Sequence, residues 1–191
     1  MHDNLLILGD GWSMPADLQS VLSWNISYDV GALGRGIKSY PGPVQHWLNV
    51  DGESAIHWAE NLPNGDGTIK HTIGAVRGFD VDWNMTQPNY HYDEITGEDQ
   101  ERIHGSSALF AVLVGFELGY DKIILAGCPL DCEGHYYFRQ SKDTLGPIWL
   151  GMDFMAWLDL AQLPISACVR SLSGYTAKIM GQATKEWING K

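Results

Sequence analysis

The chain has 191 residues, 45% of them hydrophobic and 18% charged, which excludes a disordered polymer and is enough to bury a substantial core. Twelve basic against 23 acidic side chains leave a formal charge of −11. That balance makes nucleic acid and anionic membrane surfaces poor partners, because both would repel it.

Leu5 to Leu8 is a short apolar run closed by Gly9, the pattern of a buried strand. Ser13 is then an N-cap candidate, Pro15 suits a first helical turn and Asp17 lies near the positive end of the helix dipole, which predicts a helix to about Leu22. "ISYDVGALG" predicts a second strand leaving into a Gly-rich loop over Gly31 to Gly36, and "VQHWLNVDG" a third strand ending on Asp51. "ESAIHWAENL" has helical spacing at Ala55, Ile56, Ala59 and Leu62, and "PNGDGT" is a turn. "TIKHTIGAV" fits a strand. Beyond it, the polar and aromatic stretch has no clean period, so residues 70–104 read as a long loop or lid inserted over one end of the sheet.

"HGSSALFAVLVGFELGYDKIILAGCPLD" predicts a helix capped by Ser106 or Ser107 and apolar nearly all round. Gly119 fits its C′ position, and a short strand follows from Ile123 to Ala126. "GPIWLGMDFMAWLDLAQ" predicts another helix with Leu150, Phe154, Trp157 and Leu158 on one face, "PISACV" a strand, and "GYTAKIMG" and "TKEWING" terminal helical pieces. Strands alternating with helices predict an α/β fold: a three-layer, Rossmann-like single domain over 1–191 with a mainly parallel sheet. The opening "MHDNLLILGDG" lacks the basic region of a secretory leader, Ala108 to Phe116 is too short to span a bilayer, and three cysteines fit reduced thiols. The expected setting is the cytoplasm.

Ligands of such sheets bind beyond the carboxyl ends of the strands. The turn Gly9-Asp10-Gly11-Trp12-Ser13 stands at such an end. Its glycines and helix start suit either an anion cradle or a plain tight turn. "GDGWSM" lacks the third glycine of the dinucleotide fingerprint, and the chain has no phosphate-loop motif. Asp10 suits a ribose hydroxyl or a base better than a phosphate. Of eight tryptophans, Trp12 is the one placed to stack on a base or sugar. Asp51 is either a ribose ligand or a turn residue. Asp80-Val81-Asp82 has the spacing that holds a divalent cation on a sugar nucleotide, but this spacing is common by chance. Cys128, Cys132 and His135 lack the second ligand pair of a zinc site, so no metal ligands are assigned. His135 is a candidate general base, and Arg35, Arg77 and Arg139 are candidate loop cations.

The Gly-x-Gly-x-Ser turn, together with "GSSALFAVLVGFELGYDKIILAGCPLD" and the tail "CVRSLSGYTAKIM", resembles a Rossmann-like superfamily. It includes the bacterial sialyltransferases that use CMP-sialic acid, and the domain-of-unknown-function proteins related to archaeal 6-hydroxymethylpterin diphosphokinase. The chain also resembles phage or prophage proteins. The resemblance implies a nucleotide held by Gly9, Asp10, Gly11 and Ser13, phosphates or sugar facing Gly105, Ser106 and Ser107, and Asp131 at the edge of the site. At the position of Asp10 the family more often has Asn. The family's catalytic His corresponds either to His135 in "GHYYFRQSK" or to a position near Arg139 or Gln140, where this chain has none. Tyr136 and Tyr137 stand where the family's tyrosines hold the leaving phosphate.

The expected function is a nucleotide-binding transferase, a glycosyltransferase of sialyltransferase type. His135 or Asp131 would deprotonate the acceptor; the nucleotide sugar is the substrate and no cofactor is required. Two alternatives stay open. One is a diphosphotransferase of the pterin-kinase type, which would need Mg²⁺. The other is a non-catalytic nucleotide-binding or phage accessory protein. A homo-oligomer is compatible with all three.

Overall fold

The computed structural model describes residues 3–50, 67–83, 107–131 and 147–190, with side chains from Phe154 onward in the last span. Seven parallel strands form one sheet in the order β5-β4-β3-β2-β1-β6-β7. They are β1 Asn4–Leu8, β2 Asp29–Leu33, β3 His46–Asn49, β4 Ile69–Thr72, β5 Val81–Asp82, β6 Lys122–Ala126 and β7 Val169–Ser171. The helices are α1 Met14–Ser23, α2 Ser107–Glu117, α3 Pro147–Leu160, α4 Gly174–Met180 and α5 Lys185–Ile188.

The central strands are buried on both faces, as parallel strands between helical layers must be. Strand alternation sends Leu5, Ile7, Leu48, Ile123 and Leu125 into one apolar cluster with Phe110, Ala111 and Val114 of α2 and Trp157 of α3. It sends Leu6, Leu8, Val30, Ala32, Trp47, Ile124 and Ala126 to the other face, against Met14, Leu18 and Val21 of α1. The fold is therefore the expected three-layer, Rossmann-like α/β sandwich. No described helix is long and apolar enough to cross a membrane.

Three local expectations need correcting. Gly31 to Leu33 belong to β2, and the chain then tightens into a 3-10 helix over Gly34–Lys38 instead of an open loop. "PISAC" is likewise a 3-10 helix, Pro164–Cys168, because the fixed φ of Pro164 favours a turn start, and β7 begins only at Val169. β4 falls within the strand expected in "TIKHTIGAV", but the region read as a loop also holds β5, and both strands extend the sheet. β5 is two residues long, too short to carry a sequence period, and β4 buries two polar residues, His71 and Thr72. The predicted helix over 53–62, the loop over 84–104, Asp51, Gly105, Ser106, Cys132, His135, Tyr136, Tyr137 and Arg139 lie outside the described residues.

Candidate ligand site at the carboxyl edge of the sheet

The strand order reverses at β1: the chain moves outward to β2 on one side and, later, to β6 and β7 on the other. The carboxyl ends of β1 and β6 therefore flank the switch point, where folds of this type open a crevice. Three connections meet there: Gly9–Ser13 after β1, Gly127–Asp131 after β6, and Leu172–Tyr175 after β7.

The first connection is packed tightly on the second. The Gly9 N–H donates to the Ala126 carbonyl at 2.8 Å and the Gly11 N–H to the Gly127 carbonyl at 2.9 Å. A Cβ on Gly9 would collide with the Gly127 carbonyl oxygen, and one on Gly11 would lie 2.5 Å from Pro129 Cδ. Both glycines are thus required by the close approach of two loops, and their N–H groups are committed inside the fold rather than to a bound anion. The third connection closes on the same loop. Gly174, at φ 68°, sits against Pro129, and the Tyr175 N–H donates to the Pro129 carbonyl at 2.7 Å.

Ser13 occupies the N-cap position of α1, but its side chain does not cap the helix. It points inward and donates to Asp17 Oδ2 at 2.9 Å. The Gly127 N–H reaches the same oxygen at 2.9 Å, and the Ser173 hydroxyl lies 2.6 Å from it and 2.7 Å from Ser13 Oγ. Asp17 is buried, so this carboxylate exchanges water for three donors drawn from all three connections. Sequence reasoning places Asp17 as a helix-dipole residue only. Its joining role depends on Gly127 and Ser173, which lie 110 and 156 residues away.

What faces outward is different. Trp12 is 48% exposed, and its indole N–H donates to both carboxylate oxygens of Asp131, each at 3.0 Å. Just before Asp131, Leu130 adopts φ 52°, a left-handed conformation that costs a non-glycine residue about 1 kcal/mol or more. The loop accepts that strain while Leu130 packs against the apolar cluster under α2 and Asp131 is held to the Trp12 indole. Tyr175 is a second exposed aromatic of this edge, with Phe154 edge-on at 6.0 Å between ring centroids and Lys178 over it at 4.4 Å.

The other candidates divide. Asp10 is half-buried in the turn. Ser107 is the first residue of α2, which delivers the chain to the start of β6, so Ser107 lies toward the carboxyl edge. Arg35 stands in the 3-10 segment, whose next residue, Gly36, packs on the Leu8 carbonyl at the end of β1. Arg77 is exposed in the β4–β5 connection. Asp80 accepts the Lys70 N–H at 2.8 Å and so pins the sheet edge, and Asp82 lies in β5. Among the described residues, no group of three or more His, Cys, Asp or Glu is placed to hold a metal ion. Burial, with Asp10 and Asp17 nearby, pushes the Cys128 thiol far up, so it is a packing group and not a nucleophile.

Comparison with family models, with curated proteins and with solved structures returns no match. The likeness to the sialyltransferase and pterin-kinase superfamily therefore rests on the motifs alone.

Proposed function

We propose that the protein binds a nucleotide or nucleotide-activated sugar across the crevice between the ends of β1 and β6, and that it acts as a glycosyltransferase-like transferase. The observation that carries this reading is Trp12: a half-exposed indole at the switch point of a Rossmann-like sheet, with its N–H satisfied by Asp131. An indole fixed in this way loses little freedom on binding and offers a large surface for stacking on a base or sugar. Asp10 and Ser107 supply polar groups at the same edge for ribose or sugar hydroxyls. Asp131 positions the indole, and the acceptor's proton falls to it or to His135.

The inward commitment of the Gly9 and Gly11 N–H groups and of the Ser13 hydroxyl favours recognition through base and sugar over a phosphate cradle. It weighs against the pterin-kinase alternative, whose ligand is held chiefly by its phosphates and Mg²⁺.

Thermal unfolding with CMP, UDP, GDP, ADP, ATP and NAD, each with and without Mg²⁺, tests the reading. A ligand at a hundred times its dissociation constant stabilises the fold by about 2.7 kcal/mol, a rise of several degrees in Tm for a chain of this size. A metal-independent shift that Trp12→Ala abolishes supports the proposal. A shift with ATP that requires Mg²⁺ would favour the diphosphotransferase. Binding without turnover of any nucleotide sugar would leave a non-catalytic binding protein, and no shift with any nucleotide would end the nucleotide reading.

A further inference from the structure

Far from Trp12 on the α2 side of the sheet, five polar residues from five segments form one hydrogen-bonded chain. Trp83 Nε1 donates to His71 Nδ1 at 2.9 Å, and His71 Nε2 lies 2.9 Å from His46 Nδ1. His46 Nε2 lies 2.8 Å from the Tyr120 hydroxyl, which donates to Asp29 Oδ2 at 2.8 Å. Asp29, His46, His71 and Tyr120 are buried. Trp83 and Tyr120 pack on the apolar cluster that α2 covers with Phe110 and Val114.

The two ends fix every proton between them. An indole N–H can only donate, and the Asp29 carboxylate accepts. His71 must therefore accept at Nδ1 and donate at Nε2, and His46 must do the same, handing its proton to Tyr120. Both rings are neutral Nε2–H tautomers in an unbroken run Trp83→His71→His46→Tyr120→Asp29. On neither ring does a further proton find a free site. On His71 Nδ1 it would face the Trp83 N–H, and on His46 Nδ1 it would face the His71 N–H, each donor against donor at 2.9 Å.

We propose that this chain is a proton-operated latch on the β4–β5 edge of the sheet: neutral imidazoles hold Trp83 and β4 closed, and protonation of either ring opens them. The edge is suited to that role. β5 is two residues long and joins the sheet only through β4, so the Trp83 link is a large part of its attachment. The charged groups around the rings are Asp29 from β2, which favours a charged His46, and Asp80 beside β5, which favours a charged His71, while His46 opposes a charge on His71. By strand alternation Lys70 and Asp82 belong to the opposite face, α2 contributes apolar side chains, and Glu117 and Asp121 near Tyr120 are exposed. Burial outweighs the carboxylates: it pushes His71 down to about 4 and lowers His46 as well.

The test is on the full chain, by imidazole nitrogen chemical shifts and by amide hydrogen exchange corrected for its intrinsic pH dependence. At neutral pH both rings should report the neutral Nε2–H tautomer. At about pH 5.5, one unit below the ordinary imidazole value, opening of 69–72 and 81–83 should become about tenfold more frequent, and at every pH these residues should open far more often than β1 and β6. Trp83→Phe removes the opposing donor. It should raise the His71 pKa, leave the edge open at neutral pH and flatten its pH response. A charged ring or an Nδ1–H tautomer at neutral pH would overturn the latch. So would an edge that opens no more often than β1 and β6 at any pH, or an acid response that Trp83→Phe leaves unchanged.

Discussion

The Trp12 indole N–H is shared between the two carboxylate oxygens of Asp131 at 3.0 Å each, joining the loop after β1 to the loop after β6 across the switch point. The bond sits at a partly exposed position, so its weight is in orientation more than in stability. Asp131→Ala should cost about 1 kcal/mol or less in urea unfolding, and the Trp12 indole proton should exchange much faster in its NMR spectrum. Asp131→Asn keeps an acceptor and should fall between. If the crevice holds the nucleotide, Asp131→Ala should weaken binding more than it weakens the fold. Equal losses would make the bond purely structural.

Asp17 carries a different load, because its three donors come from Ser13, Gly127 and Ser173 and all but the half-buried Ser173 are shielded from water. Asp17→Ala would leave the buried Gly127 N–H without an acceptor and is expected to destabilise by about 3 kcal/mol or more. Ser13→Ala and Ser173→Ala should each cost about 1 kcal/mol. The double variant should cost less than their sum, since the two hydroxyls share one oxygen. Chemical denaturation of the four variants decides it, and strict additivity would mean that the hydroxyls act independently.

Gly9→Ala and Gly67→Ala separate two reasons for a glycine. At Gly67, with φ 102°, an added methyl meets nothing within 4 Å, so only backbone strain opposes it, at about 1 kcal/mol. At Gly9 the methyl collides with the Gly127 carbonyl, which is itself fixed by the Gly11 N–H. Neither partner is a flexible side-chain end, so Gly9→Ala should cost about 3 kcal/mol or fail to fold. Similar losses at the two positions would mean that the loops after β1 and β6 can move apart.

The sheet's centre is legible in the sequence because its strands are apolar runs closed by glycine: Leu5–Leu8 and Ile123–Ala126 each announce themselves. The edge is legible only in part: β4 lies within "TIKHTIGAV" although it buries the polar His71 and Thr72, whereas β5, with two residues, offers no pattern that marks a strand. The carboxyl edge is legible as a place, through "GDGWSM" and "AGCPLD". The direction in which its groups point is not. Ser13 turns inward because Asp17, one helical turn on, accepts its proton, and Asp17 is held there by residues distant in sequence. The buried histidine chain is invisible for the same reason: its five members come from five segments, and only the register of β2, β3 and β4 brings them together.

His71 also sets a pH dependence for global stability. Its folded value, about 4, lies below its ordinary value of 6.5, so between those two values the unfolded chain binds more protons than the folded one. Stability therefore rises with pH through this window. The contribution is complete above about 6.5, declines as the pH falls, and is exhausted near 4. For this one ring the window corresponds to a loss on the order of 3 kcal/mol, and the lowered His46 acts in the same direction. Urea midpoints measured from neutral pH downward should begin to fall near 6.5, well above the range in which carboxylates titrate. Trp83→Phe, which lets His71 accept a proton without a clash, should be less stable at neutral pH and should lose less on acidification. A wild-type midpoint that stays flat until the carboxylate range would show that neither imidazole is held neutral by the fold.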